Sequence, residues 1–398
     1  MRKYLIPLLF LSLFISIIAK TNKDEKLKKK AEQLAHKYII VDTHIDVPYR
    51  LHHKMEDISN ATGDGNFDYP RAVKGGLNAP FMSIYIPARY ENSGGGKELA
   101  DTLIAMVKKI VAEHPDKFAL ANSPKEVEKN FAAGKISMPM GMENGTPIEG
   151  DLDNLKYFYK QGIRYITLTH SKNNHIGDSS YDTERKWHGL SPFGKKLVKA
   201  MNKIGMMIDI SHVSDETFYD VLKVTKSPVI ASHSSCRYFT PDFERNMSDD
   251  MIKALAKNGG VIQITFGSAF ISGEINQKRN EISSAIKKYL SKHKLTQEEA
   301  NKFEHNYRKE HPYGFANVSE VADHIDHVVK LVGIDYVGLG SDFDGVGDSL
   351  PTGLKDVSMY PNLIYELLKR GYSDEDIQKI CSGNILRVWE KIQSLSTN

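Results

Sequence analysis

Short apolar runs that end in a polar residue recur along this chain, and between them the apolar positions fall into helical spacing. The clearest stretch is Gly205–Ser235, where Met206–Ile210 and Val229–Ala231 each lead into a Ser-His pair, Ser211-His212 and Ser232-His233. The segment between them, Ser214–Lys226, is amphipathic and long enough for a helix that crosses back over a sheet. Parallel neighbouring strands bring their C-terminal ends side by side, so the two imidazoles are expected to meet in space.

Six more runs have the same buried-strand character. They are Tyr38–Asp42, which leads into Thr43-His44-Ile45-Asp46, then Pro80–Ile86, Ile136–Met142 ending in Glu143, and Tyr165–Thr169 ending in His170. Gly260–Phe266 follows, and Tyr336–Gly340 ends in Ser341-Asp342. Helical patterns fill most of the gaps: Lys23–His36, Glu98–Glu113, Leu152–Gln161, Phe193–Ile204 behind the Ser191-Pro192 start, and Val318–Val332. Ser248-Asp249-Asp250 and Ser373-Asp374-Glu375-Asp376 open two more, with acids in the first turn. Gly94-Gly95-Gly96 reads as a flexible loop after the second strand.

Eight short strands alternating with helices predict an α/β fold of the (β/α)8 barrel type. A doubly wound open sheet is the alternative, but it gathers its site at one switch point. Here polar residues end the first, third, fourth, fifth, sixth and eighth runs, and only a closed ring brings all of those ends to one centre. Residues 271–317 form a charged helical insertion (Glu281–Leu290, Gln297–Lys309) between the seventh and eighth strands, expected to be a lid or flanking element.

Composition adds the compartment. Of the 398 residues 40% are apolar and 26% charged, the balance of a globular protein. The formal net charge is +3, and Arg2 and Lys3 supply two of those charges. Nothing in that balance asks for nucleic acid or an anionic membrane. Arg2 and Lys3 precede an apolar run, Tyr4–Ala19, and then a polar stretch, the layout of a signal peptide over residues 1–19. The run is shorter than the roughly 20 residues of a comfortable membrane span. A secreted or periplasmic protein without a stable membrane anchor is therefore expected, with 20–398 as a single catalytic domain; an uncleaved anchor is the alternative. Two cysteines, Cys236 and Cys381, make no disulfide framework and read as free thiols.

The strand ends carry His44, Asp46, Glu143, His170, His212, His233 and Asp342. Imidazoles and carboxylates in one set suit zinc. His44-x-Asp46 places two ligands on one side of an extended segment. With Glu143 as a bridge, His44 and Asp46 would hold one metal and His212 and His233 another; two such ions can share a hydroxide that attacks an acyl carbon. Singly, each residue reads as ordinary strand-end or turn chemistry. Seven at six of eight strand ends form a constellation. His324 and His327, one turn apart beside Asp323 and Asp326, read instead as a polar helix face.

Several segments match a known family in its order: Val41–Pro48, Gly141–Gly145, Arg164–Ser171, Gly189–Gly194, Ile208–Ser214, Ser232–Ser235, Arg245-Asn246 and Gly340–Val346. From about residue 38 to 395 the chain resembles the membrane (renal) dipeptidases, zinc peptidases of the amidohydrolase barrel superfamily. The resemblance implies two zinc ions per chain, with His44 and Asp46 on one, His212 and His233 on the other, and Glu143 between. It implies hydrolysis of dipeptides to free amino acids by a metal-bridged hydroxide, in a homodimer. His170 would polarise the scissile carbonyl, Asp342 would manage the proton, and Arg245 would grip the terminal carboxylate, with Arg237 as its rival. Departures are Asn144-Gly145 where the family usually has two glycines, and Phe270 where mammalian members often have a tyrosine. Two other readings stand beside this one. The first is a related hydrolase acting on an N-acyl amino acid, a lactam or a phosphoester; the second is a non-catalytic envelope binding protein.

Overall fold

A computed structural model describes residues 23–397. Eight parallel strands form one sheet in chain order: β1 Ile40–Ile45, β2 Leu77–Tyr85, β3 Met140–Glu143 and β4 Ile163–Thr167, then β5 Met207–Asp209, β6 Ile230–Ser234, β7 Val261–Ile264 and β8 Val337–Leu339. The ring closes where the segment after β8 returns to β1. Ile45 bridges Phe343 in parallel, the Asp46 N–H donates to the Phe343 carbonyl at 2.9 Å, and the Asp342 N–H donates to the His44 carbonyl at 3.1 Å. The α/β (β/α)8 barrel is therefore the fold, and the open sheet is not.

The expected helices form at the expected places: residues 23–37, Gly96–Glu113, Leu152–Gln161, Pro192–Ile204, Asp215–Val224, Asp249–Lys257 and Val318–Val332. Their starts are chemically marked. Ser191 accepts from the Gly194 N–H at 2.9 Å with Pro192 in the first turn, and Asn317 and Glu320 cap each other reciprocally.

Four expectations need correction. Ile136–Met142 is two strands, because Pro139 has no N–H to give a ladder. Ile136–Met138 pairs with Phe118–Leu120 in a small separate sheet, and the barrel strand begins at Met140. Gly94–Gly96 is no free loop: Gly95, at φ 86°, starts the long helix Gly96–Glu113. His324 does not lie on a polar face. It is fully buried, with Nδ1 accepting from the Cys236 N–H at 3.0 Å and Nε2 donating to the Ile271 carbonyl at 2.9 Å. The same burial pushes its pKa down to about 4. Asp46 has left the extended conformation (φ −87°, ψ 27°) and heads the short helix Val47–His53, so its side chain reaches the centre from a helix start. Cys236 and Cys381 are buried free thiols, as expected. The signal peptide expected over residues 1–19 lies outside the described residues.

Two bodies of apolar side chains hold the barrel. One fills the space between the strands and the surrounding helices. The other fills the N-terminal end of the barrel, where Val41, Phe81, Tyr165, Met207 and Ile230 meet Trp389. Trp389 belongs to helix Asn384–Ser394, whose Ile385, Val388, Trp389 and Ile392 repeat at helical spacing and close the barrel floor. The 271–317 insertion is a pair of helices, Gly273–Leu290 and Gln297–Glu310, held by the stacked rings of Tyr289 and Phe303 at 3.8 Å. Its first helix is anchored by buried Ile275 and Asn276 and flanks the C-terminal mouth of the barrel.

Candidate active site

Catalytic groups of such barrels stand at the C-terminal ends of the strands, and all seven strand-end residues singled out in the sequence meet there. Glu143, the last residue of β3, is the centre. Its Oε1 lies 3.1 Å from His212 Nε2, 3.3 Å from His233 Nε2 and 3.5 Å from His170 Nε2. Its Oε2 lies 3.5 Å from His44 Nε2, which in turn is 3.5 Å from Asp46 Oδ2. Asp342 joins His44 and Asp46 on the second side. One carboxylate thus meets donor atoms on both of its oxygens, and His233, stacked on His44 at 3.7 Å, lies within reach of both sides.

The ring nitrogens are set by groups beneath them. The Tyr165 hydroxyl donates to the Thr43 carbonyl at 3.0 Å, so its oxygen accepts the Nδ1–H of His44 at 2.8 Å. The Ser232 hydroxyl donates to Asp209 at 2.6 Å and accepts the Nδ1–H of His233 at 2.8 Å. Both imidazoles therefore spend Nδ1 on the support beneath and turn Nε2 to the centre, the nitrogen a metal would take in place of a proton. His212 Nε2 and His233 Nε2 approach to 2.9 Å, both turned toward Glu143 Oε1. Asp209 is fixed by the Ser211 and Ser232 N–H groups at 3.0 and 2.8 Å. Tyr165, Asp209 and Ser232 were not found as site residues in the sequence. The signal was the serine preceding each histidine and the acid two residues before Ser211.

Backbone geometry admits the cluster. Gly141 is required because a Cβ there would lie 1.9 Å from the Tyr165 ring. At Gly345 a Cβ would lie 2.2 Å from both Asp342 Oδ1 and Asp46 Oδ2, so glycine leaves room for two carboxylates. Burial, then the neighbouring positive groups, keep His212 and His233 well below the ordinary histidine pKa. Burial opposes the charge on Glu143, but His170, His44 and the bonds from His212 and His233 outweigh it and hold its carboxyl well below the usual range. Burial also opposes a proton on His44, yet Tyr165, Glu143 and Asp46 draw its pKa well above the ordinary value. Those carboxylates call for positive charge at that point, and a cation answers as well as a proton. Burial and then Asp46 raise the Asp342 carboxyl well above its usual value.

The donor set fits a metal. His44 Nε2, Asp46 Oδ1 and His212 Nδ1 are buried polar atoms without a hydrogen-bond partner. Above the cluster opens a cavity of 840 Å³, lined by Asp46, Glu143, His170, His212 and Asp342 below and by Tyr49, Tyr85, Tyr181, Phe270 and Arg279 around the wall. The His170 side chain is 18% exposed against 0–7% for His44 and His212, so it is the imidazole most open to the cavity. The two candidate arginines differ. Arg245 is buried behind Phe270, donating to the His233 carbonyl at 2.6 Å and to Ser234 Oγ at 2.8 Å, with Nε unpartnered. Arg237 points elsewhere and grips both oxygens of Asp215 at 2.8 and 2.6 Å.

Residues 28–398 match the family described as Membrane dipeptidase (Peptidase family M19). The chain belongs to that family. Its members are metallo-dipeptidases, so this chain is a peptide hydrolase of the membrane dipeptidase family whose work involves a metal. The probable dipeptidase PvdM from Pseudomonas aeruginosa is 27% identical at a TM-score of 0.81, with 94% of this chain and 100% of that one covered. Two further structures share the barrel. The dipeptidase AC, a metallo peptidase, is 24% identical at a TM-score of 0.75, over 89% of this chain and 99% of its own. A metallo peptidase from Rhodobacter sphaeroides, liganded with a phosphinate mimic of the dipeptide L-Ala-D-Ala, is 23% identical at 0.74, over the same shares. Despite the family's name, among the described residues no helix is long and apolar enough to cross a membrane.

Proposed function

We propose that this chain is a zinc-dependent dipeptidase that hydrolyses a dipeptide to two free amino acids. The observation that carries the reading is the two-sided Glu143, with Oε1 turned to His212 and His233 and Oε2 turned to His44. Each side mixes imidazole and carboxylate donors, the chemistry that suits zinc. When bound there, a pair of zinc ions supplies Lewis acidity and a water acidic enough to attack an acyl carbon at neutral pH.

The chain's own residues supply the remainder. His170 meets the oxygen of the scissile carbonyl and steadies the negative charge that develops on it. Asp342 takes the proton from the attacking water and hands it to the amine as the C–N bond breaks; its raised pKa suits the acid half of that cycle. Arg245 receives the terminal carboxylate, a role supported by its unpartnered Nε and by its charge bearing on His170, His212 and Asp342. A longer peptide has no carboxylate at that distance, which confines the enzyme to dipeptides. The apolar run Tyr4–Ala19 behind Arg2 and Lys3 supports an enzyme that acts after export, secreted or periplasmic.

Metal analysis of the purified protein beside a dipeptide assay tests the proposal. Two zinc ions per chain are expected, with hydrolysis lost to a chelator and restored by zinc. Protein free of transition metal overturns the reading, as does turnover of an N-acyl amino acid or phosphotriester with dipeptides left intact.

A further inference from the structure

Arg279 stands on the first helix of the insertion, one turn past the buried anchor Asn276, whose side chain donates to the Ala269 carbonyl at 3.0 Å. Its guanidinium lies over two rings of the cavity wall, 5.6 Å from the centroid of Phe243 and 5.9 Å from that of Phe270. Arg245 lies 5.5 Å from the same Phe270 ring. Two guanidinium groups therefore share one aromatic side chain, Arg245 deep beside the metal ligands and Arg279 on the wall.

The two differ in what they already hold. Arg245 donates to His233 and Ser234. On the insertion helix Lys278 is tied to Glu274 at 2.6 Å, whereas among the described residues Arg279 forms no ion pair. Lys172, the other cation of the cavity, is 63% exposed and faces Asp182 at 3.3 Å. The two rings shield part of the Arg279 guanidinium from water, and its edge meets the Tyr181 hydroxyl but no carboxylate. A partly desolvated cation with no carboxylate partner of its own is a receptor for one. Tyr181 lines the same wall; burial raises its phenol, and the charges of Arg245 and Arg279 act against that rise.

We propose that Arg279 is a specificity residue that receives the side-chain carboxylate of dipeptides ending in aspartate or glutamate. The inference rests on the dipeptidase reading above. If Arg245 takes the terminal carboxylate, the second carboxylate of an acidic C-terminal residue is separated from it only by a short methylene chain. The neighbouring cation past Phe270 is Arg279.

The test is kcat/KM of the zinc-loaded full chain for Ala-Glu, Ala-Gln and Ala-Lys, read as ratios within one preparation so that any loss of active enzyme cancels. The wild type is expected to favour Ala-Glu over Ala-Gln by about tenfold or more, carried by KM, the size of one charge-assisted contact. Arg279→Ala should bring that ratio close to one, Arg279→Lys should restore part of it, and Arg279→Glu should move the preference to Ala-Lys. Equal use of Ala-Glu and Ala-Gln by the wild type overturns the inference while leaving the dipeptidase reading intact, and so does a preference that survives in Arg279→Ala. Failure to cleave any of the three, with both zinc ions bound, overturns the reading and the inference together.

Discussion

His212 and Asp342 both hold left-handed backbone, at φ 68° and 65°, a conformation that costs a non-glycine residue on the order of 1 kcal/mol. The surroundings enforce it: the His212 carbonyl accepts from the Ser180 N–H at 2.9 Å, and the Asp342 N–H is spent on His44. Asparagine tolerates that conformation at least as well as aspartate. Asp342→Asn should therefore fold, keep both metals and lose most of its turnover. Loss of metal instead would make Asp342 a ligand. Glu143→Gln should behave differently, because an amide nitrogen replaces an oxygen that faces one donor set; metal content and activity should fall together, and an active, metal-replete variant would refute the shared carboxylate.

Tyr165 allows a sharper test, since it touches no substrate. Tyr165→Phe removes the oxygen that fixes the Nδ1–H of His44 and, with it, the hydrogen bond to the Thr43 carbonyl. Metal affinity should drop by about 10–100-fold, the usual cost of losing such a support, as read by zinc competition against a chelator. Unchanged affinity would mean that packing alone sets the ring. Such supports were hard to read from sequence because a tyrosine inside an apolar strand looks like core. The strand-end histidines and acids were legible because they interrupt an apolar pattern.

At the scale of elements, the barrel strands and the helices that surround them were legible for a physical reason: each strand is buried on both faces and each of those helices on one, whereas Gln297–Glu310 buries no residue. What was missed was short. Helix Pro124–Ala132 follows Ser123-Pro124, the same cap-and-proline pair that marked Pro192–Ile204, so its signal was present. Arg279 had no signal, since its place depends on how the insertion folds back over Phe270. His324 was misread because Asp323 and Asp326 flank it, while tertiary packing turns it inward.

That burial has a pH consequence. In the fold His324 titrates at about 4, against 6.5 for a free histidine. Between those values the unfolded chain binds a proton that the fold refuses, so stability falls as pH drops from 6.5 and the loss is complete below 4. The full effect is about 3 kcal/mol. Glutamine can accept from the Cys236 N–H and donate to the Ile271 carbonyl without titrating. The stability of His324→Gln, measured by denaturant unfolding of the metal-free protein at pH 7 and pH 5, should fall less across that interval than the wild type's. Parallel losses would show that other groups govern acid sensitivity.

At the scale of the whole molecule, the ring closes through contacts between its first strand and the segment that follows its eighth, and His44, Asp46 and Asp342 stand at that seam. Ions that bind only the folded ring stabilise it by about 2.7 kcal/mol at a hundredfold excess over Kd. The metal-free protein should therefore melt several degrees below the zinc-loaded one, and Glu143→Gln should narrow the gap. An equal melting temperature with and without zinc would place the ions outside the folded centre.

Helix Asn384–Ser394 reaches that centre without touching it. Trp389 packs tilted against Phe81 at 5.2 Å, Phe81 likewise against Tyr165 at 5.6 Å, and the Tyr165 hydroxyl meets His44. Three rings in series join the cork of the barrel to the imidazole that opens the ligand set. A clipped or frayed carboxyl-terminal helix would loosen the ligand set from the far side of the protein, and damage there would be felt first as a thirst for metal.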